Sequence, residues 1–356
     1  MAGNGAWPER GASAEGVGLS YHPFLHEVLI ARVDHYDFVE LPLDLYIDPA
    51  QSALLDPKDA RLLEIAAARP CIWRGSALSL GSVEVPNDPA PDPRVIDRIR
   101  QLMERVGTTH YSDMIGFRGL EGRDLGVPQS LPFTESAARW MAARYVAARD
   151  ALGHSFLLQP VGDASGHAHA AFLRRVVSLA DFALLLNVAD LECVATETGV
   201  DPAEMANRLP LERISVLALS GTHENEWALL SELVAATAVR SIIIRRTRDL
   251  FPLDAIVDAA RRARNVLGGE RRPMTKQPES AEPLDDDPNG LATLRSQQNA
   301  LIDLCLGHTE PAEKMMLASH LRPWQVWHER IADTHKARQI AQFLAEDTGH
   351  DARQRG

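Results

Sequence analysis

The sequence predicts a (β/α)8 TIM barrel with a C-terminal helical appendage. Short apolar runs recur eight times, at 16–20, 36–41, 70–73, 108–112, 155–159, 182–188, 214–219 and 241–245. Several are nearly continuous Leu, Ile and Val, the composition of strands buried on both faces of a parallel sheet. Helical stretches separate them, among them 92–106, 134–152, 166–179, 225–238 and 252–267. About 250 residues of alternating strand and helix is the size of such a barrel. The competing arrangement is an open doubly wound sheet, but no glycine-rich dinucleotide loop follows the first strand.

The individual elements carry their own signals. Thr134-Glu135 and Asp201-Pro202 read as helix starts, each an N-cap residue ahead of an early Glu or Pro. Residues 1–15 read as a disordered N-terminus and 16–267 as the barrel. Residues 268–290 are rich in Gly, Pro and charge and nearly empty of large apolar side chains, so they read as a linker, with Asp285, Asp286 and Asp287 a solvated run. Residues 291–346 turn helical again, and 347–356 form a tail. In that segment Leu294, Ala300, Leu301, Leu304 and Leu306 suggest one helix, Thr309 and Pro311 start a second, and Pro323 starts a third. The third carries Trp324, Trp327, Ile331, Ile340, Phe343 and Leu344 broadly on one face. A piece this short is expected to dock on the barrel or on a partner.

Composition narrows the function classes. The chain has 356 residues, 45% hydrophobic and 24% charged, as is ordinary for a globular protein. A net charge of −12 argues against nucleic-acid binding, which needs a basic surface. No apolar run reaches the length of a membrane span, and the first residues show no secretory signal, so the expected location is cytoplasmic. Cys71, Cys193 and Cys305 show no paired metal spacing, and the first two read as buried thiols.

A barrel of this class builds its active site at the C-terminal ends of its strands. Those ends hold Ser20, Tyr21 and His22, then 40–44 with Glu40 and Asp44, then Arg74, Asp113, Met114 and Gln159. They continue with 187–190 starting at Asn187, 220–223 ending at His223, and Arg245-Arg246. The set is polar but poor in metal ligands, because iron or zinc needs carboxylates, neutral imidazoles or thiolates converging on one point. Glu40, Asp44 and His22 have only strand-end placement to recommend them as a mononuclear site. His308, His320, His328 and His335 lack the spacing of a helical metal pair and read as solvated.

Arg74-Gly75-Ser76-Ala77-Leu78-Ser79-Leu80-Gly81, just after the third apolar run, resembles a His-Gly-x-x-Leu-Ser-Leu-Gly segment. That segment belongs to the multinuclear non-heme iron-dependent oxidative enzymes, the family that includes the methanobactin synthase. The resemblance continues in order along residues 16–267. Ser112-Asp113-Met114 is similar to Ser-Asp/Glu-His, Leu131-Pro132-Phe133-Thr134-Glu135 to Leu-Pro-Tyr/Phe-Thr-Glu, and Leu157-Leu158-Gln159-Pro160 to Leu-Leu-Glu-Asn. Leu185-Leu186-Asn187-Val188 resembles Leu-Leu-Asp-Val, Leu217-Ala218-Leu219-Ser220-Gly221 resembles Ile-His-Leu-Ala-Gly, and Ile244-Arg245-Arg246-Thr247 resembles Ile-Glu-Arg-Asp, with Phe251-Pro252 following as in the family.

What the resemblance implies is an iron-dependent barrel that modifies ribosomally made peptides, often at cysteine and usually with a peptide-recognising partner. The ligand positions carried over are Arg74, Met114, Gln159, Asn187, Ala218 and Arg245, each a replacement; Thr222-His223 matches Asp-Thr-His and makes His223 the one surviving ligand. Arginine is protonated at all ordinary pH and has no lone pair for a metal. The expectation is therefore a degenerate, metal-free homologue that needs no cofactor and binds a peptide or a partner protein, such as a ligand-complete paralogue. The C-terminal helices would serve as its docking element. Iron enters only if the site works as in the family. Glu40, Arg74, Asp113, Gln159, Asn187 and Arg245 are the candidate ligand-binding residues. Two readings of Arg74 and Arg245 stay open: an internal ion-pair plug with Asp113, Glu40 or Asp44, or a site for an external carboxylate or phosphate. The alternative function is an active enzyme with a rebuilt site. It either oxidises peptide cysteines or positions an anionic substrate for metal-free acid–base chemistry with Arg74, Asp113, His223 and Arg245.

Overall fold

A computed structural model describes residues 14–47, 57–161, 167–245, 253–269, 284 and 289–305. Eight parallel strands close into a barrel: β1 (Gly16–Ser20), β2 (Phe38–Pro42), β3 (Cys71–Arg74), β4 (Tyr111–Ile115), β7 (Leu157–Pro160), β8 (Leu184–Asn187), β9 (Ile214–Leu219) and β10 (Ser241–Ile244). β10 pairs with β1, Gly16 opposite Ser241 through Leu19 opposite Ile244, and closes the ring. The barrel expected from the sequence is the barrel that forms.

The strand register decides which residues face inward. Phe38, Ile72, Leu157, Leu185, Val216, Ala218 and Ile243 form one apolar cluster that fills the barrel, separate from the larger core between strands and helices. Side chains alternate along a strand with a period of two. Stepping two residues toward the strand ends from that cluster reaches Glu40, Arg74, Gln159, Asn187, Ser220 and Arg245. Met114 joins them by pairing with Gln159, and Ser20 by pairing with Glu40. The polar layer at the mouth thus stands directly on the apolar layer below it.

The helices around the ring are α1 (His26–Ala31), α2 (Pro57–Ala68), α3 (Pro93–Val106), α4 (Glu135–Leu152), α5 (His167–Leu179), α6 (Val188–Thr198), α7 (Pro202–Arg208), α8 (Glu224–Ala236) and α9 (Leu253–Leu267). The helix starts read from the sequence have the expected chemistry. Thr134 accepts a hydrogen bond from the Ala137 amide at 3.2 Å, and Asp201 accepts one from Ala203 at 2.8 Å.

Two features depart from a plain eightfold repeat. The fourth strand begins at Tyr111, three residues later than its apolar run suggests. Gly107 ends α3 in a left-handed conformation (φ 67°), the Thr108 amide closes the helix onto Met103, and the Thr108 hydroxyl donates to the Cys71 carbonyl at 2.6 Å, so 108–110 serve the helix exit. Between β4 and α4 the chain inserts a hairpin, β5 (Phe117–Leu120) and β6 (Arg123–Gln129). Its turn is Glu121-Gly122, both with positive φ (55° and 76°).

The hairpin receives the C-terminal appendage. α10 (Gly290–Cys305) packs on α4, β5 and β6, with Leu294, Leu301 and Ile302 buried. Ion pairs flank the contact: Arg295 with Glu121, and Arg123 with Asp303 at 2.5 Å. The fully buried Gln298 donates to the Gly81 carbonyl at 2.7 Å and accepts from the Val83 amide at 3.0 Å. The first expected C-terminal helix is therefore part of the barrel's wall. The second and third, with Thr309, Pro311, Trp324 and Trp327, lie outside the described residues, as do 1–13, most of the expected linker and the tail.

Replacing Gln298 by Ala leaves the Gly81 carbonyl and Val83 amide buried without partners. The variant should lose about 2–4 kcal/mol of stability in chemical denaturation.

Candidate functional site

Arg245 is the centre of the mouth. It follows β10, is 9% exposed, and its amide is held by the Leu219 carbonyl at 2.8 Å. Its guanidinium donates through Nε to both Glu40 oxygens at 3.2 and 2.9 Å, and through Nη2 to Oε1 at 2.5 Å. Nη1 donates to Gln159 Oε1 at 2.8 Å. One side chain thus spans the interior from β10 to β2 and β7. Glu40 is 1% exposed. Burial pushes its carboxyl up, but Arg245, then Arg74, and hydrogen bonds from Arg245 and Ser20 outweigh that and hold it below the ordinary glutamate value. A neutral amide at 159 accepts from the guanidinium without adding a second negative charge.

Arg74 differs. It ends β3 in the same layer and is only partly buried. Among the described residues it donates no hydrogen bond and makes no ion pair, and it acts on its neighbours only through longer-range charge: Glu40, Asp44 and Asp190 attract it, Arg245 repels it. Loss of water and then the repulsion from Arg245 push its pKa below the usual arginine value. The nearby acids are engaged elsewhere. Asp44 pairs with Arg118 at 2.8 Å, and Asp190, in the first turn of α6, accepts from Asn187. Burial raises the Asp190 carboxyl in spite of Asn187, Arg245 and Arg74.

The remaining candidates divide. Met114 and Asn187 are partly exposed in the polar layer, and Ala218 lies fully buried one layer below. Asp113 does not join them. Its neighbours Ser112 and Met114 take the inward face, so its side chain points to the helix layer. There it accepts from the Tyr111 hydroxyl, the Leu78 amide at 3.2 Å and the Met114 amide at 2.7 Å. His223 is exposed at the N-cap of α8 and makes no capping bond. The buried acid of that turn is Glu226, which sequence reasoning passed over. It accepts from the Ser220 hydroxyl and from the Gly221 amide at 2.8 Å, and so fixes the loop after β9. The signal was an acid in a helix's first turn facing free amides. His22 is exposed, and Arg246 lies outside the described residues.

The loop after Arg74 is structural throughout. Ser76 donates to Asp44, the Leu78 carbonyl accepts from Arg144 at 3.2 Å, and the Ser82 carbonyl accepts from Trp140 at 3.1 Å. A Cβ on Gly81 would stand 2.8 Å from the Gly116 carbonyl carbon, and one on Gly75 2.7 Å from Leu43. Cys71 is free and buried, its thiol pushed up to about 12. The Cys193 side chain lies outside those described.

The donor set does not fit a multinuclear iron centre. Among the described residues no three His, Cys, Asp or Glu side chains are placed to share a metal. The inward positions that the resemblance assigns as ligands offer two guanidinium groups, two amides, a thioether and a methyl.

Residues 16–268 match the model of a family described as RiPP precursor modification enzyme MbnB/TglH/ChrH. The chain belongs to this family. Relatives of this chain include a UPF0276 protein of Anaeromyxobacter sp. (strain Fw109-5), 28% identical over 271 residues, 70% of this chain and 92% of that protein. Another, from Acaryochloris marina, is 29% identical over 176 residues, 47% of this chain, and is matched over only 61% of its own length. Among solved structures, an L-ribulose 3-epimerase gives a TM-score of 0.44 at 16% identity, covering 80% of this chain and 97% of that one. A sugar phosphate isomerase/epimerase from Parabacteroides distasonis gives 0.47 at 12% identity, covering 75% of this chain and all of that one. Among the described residues no helix is long and apolar enough to cross a membrane.

Two outcomes follow from the site. Glu40→Ala strands the Arg245 charge inside the barrel and should cost about 3–5 kcal/mol in urea denaturation, while Glu40→Leu combined with Arg245→Met should be close to neutral. Burial raises the Asp113 carboxyl to about 7, with hydrogen bonds from Tyr111, Met114 and Leu78 only partly opposing it. A raised folded value means that this stabilising contribution is complete below the ordinary Asp pKa and is lost as pH climbs through the folded one. Relative to Asp113→Asn, the native protein should lose on the order of 4 kcal/mol between about pH 4 and 7, read as the difference between two denaturation series.

Proposed function

We propose that this family member is a metal-free barrel that acts by binding, as a peptide- or partner-recognising subunit in the modification of a ribosomally made peptide. The observation that carries the reading is the Arg245–Glu40–Gln159 bridge. A cation is already built into the barrel interior, covalently attached and hydrogen-bonded to the acid that would otherwise be free to hold a metal. The peptide is the substrate class that the family description names, and it comes to this chain by that membership. The acid–base alternative needs Asp113 and His223 in the mouth; the outward direction of Asp113 and the exposure of His223 weigh against it. Docking of a partner through the segment beyond α10 belongs to the same proposal.

Metal analysis of protein purified from iron-supplemented cells tests this. The expected result is well under one equivalent of iron, unchanged by chelation, with an unchanged melting temperature. Two or more equivalents removable only by strong chelators would overturn the reading.

A further inference from the structure

The bridge satisfies one of the two inward-facing guanidinium groups and leaves the other. Each acid that acts on Arg74 is bonded to another residue: Glu40 to Arg245, Asp44 to Arg118, and Asp190 to Asn187. Arg74 stands at the end of β3 in the polar layer, partly open to the mouth, with Met114 and Asn187 in the same layer. Its backbone is held firmly. The loop it opens is tied to Asp44, Asp113, Arg144 and Trp140, and the Gly75 amide donates to the Ser112 carbonyl at 2.9 Å. A rigid base under a planar fork that has no hydrogen-bond partner among the described residues is the arrangement of a ready anion site.

The charge around it selects the anion. Arg245 is neutralised by Glu40, so among the described residues Arg74 is the inward cation with no ion-pair partner, and Glu40, Asp44 and Asp190 act on it by charge. A phosphate dianion would meet those acids with a single cation to offset them. A carboxylate brings one negative charge and two coplanar oxygens that match the fork.

We propose that Arg74 is the recognition residue for a peptide carboxylate entering the barrel mouth. This rests on the binding reading above and names what is bound there. The carboxylate is either the C-terminal one of a peptide or the side chain of an Asp or Glu within it. Arg74 supplies two parallel N–H donors to the ligand's two oxygens, and the Arg245 bridge stays closed behind it.

The full-length protein can be treated with phenylglyoxal, which modifies accessible arginines, and the rate at Arg74 read by peptide mass spectrometry. Three probes compete: N-acetylglycine with a free α-carboxylate, N-acetylglutamic acid α-amide with only a side-chain carboxylate, and N-acetylglycinamide with neither. At least one carboxylate probe should slow modification of Arg74 several-fold while the neutral amide leaves it unchanged. Which of the two protects identifies the source, and modification of Arg245 should be slow throughout. Arg74→Met should weaken binding of the protecting probe, measured by calorimetry, about tenfold or more, and Arg74→Lys should fall between. Equal protection by all three probes, stronger protection by inorganic phosphate, or full affinity in Arg74→Met would overturn the assignment. Iron in the purified protein would overturn the metal-free reading while leaving a carboxylate-dependent Arg74 standing. Metal-free protein with no carboxylate preference would do the reverse.

Discussion

A guanidinium inside a barrel of apolar strands must be paired, because an isolated charge there loses its water with nothing in return. Arg245 meets that constraint by gripping Glu40 with two of its nitrogens and Gln159 with the third, and the upper layer of the barrel is arranged around that grip. Three strands that are not all neighbours are tied across the interior, β10 to β2 and to β7. The bridge also sets the charge left for anything entering from solvent. With Glu40 committed, Arg74 has no ion-pair partner of its own among the described residues, and burial raises the Asp190 carboxyl above its ordinary value.

The segment after β3 is held in shape by packing and hydrogen bonds of its own. Gly75, Leu78, Ser79, Leu80, Gly81 and Ser82 match the family pattern for reasons of packing: close approach at the two glycines, buried Leu78 and Leu80, and carbonyls that accept from Arg144 and Trp140. None of those constraints involves the side chain at 74, which points the other way into the mouth. The shape of the loop therefore does not depend on which side chain stands at 74. Gln298 reinforces the same loop from outside, which gives α10 a structural role in the barrel.

The barrel was legible in the sequence because fully buried parallel strands write themselves as continuous apolar runs, and the eight runs correspond to the eight barrel strands. The mouth was legible in part. The parity of each strand places Glu40, Arg74, Gln159, Asn187 and Arg245 inward, and strand-end position was enough to find them. Strand-end position alone also picked out Asp113, but Ser112 and Met114 on either side of it pair with the inward Arg74 and Gln159, so alternation turns Asp113 toward the helices. The β5–β6 hairpin escaped notice because Gly119, Gly126 and the charged Arg118, Arg123 and Asp124 break any alternation; its one signal was the Glu121-Gly122 turn. Which arginine would be paired was not legible at all, since Glu40 and Arg245 are 205 residues apart and only the closed ring brings them together.

The proposed metal-free reading turns on the Arg245 guanidinium filling the space between Glu40 and Gln159. A crystal structure of protein grown with iron in the medium, with anomalous data collected at the iron edge, tests it most directly. The account predicts continuous density for the Arg245 guanidinium between Glu40 and Gln159, with no anomalous peak inside the barrel. An anomalous peak within bonding distance of Glu40, with Arg245 turned away, would contradict it.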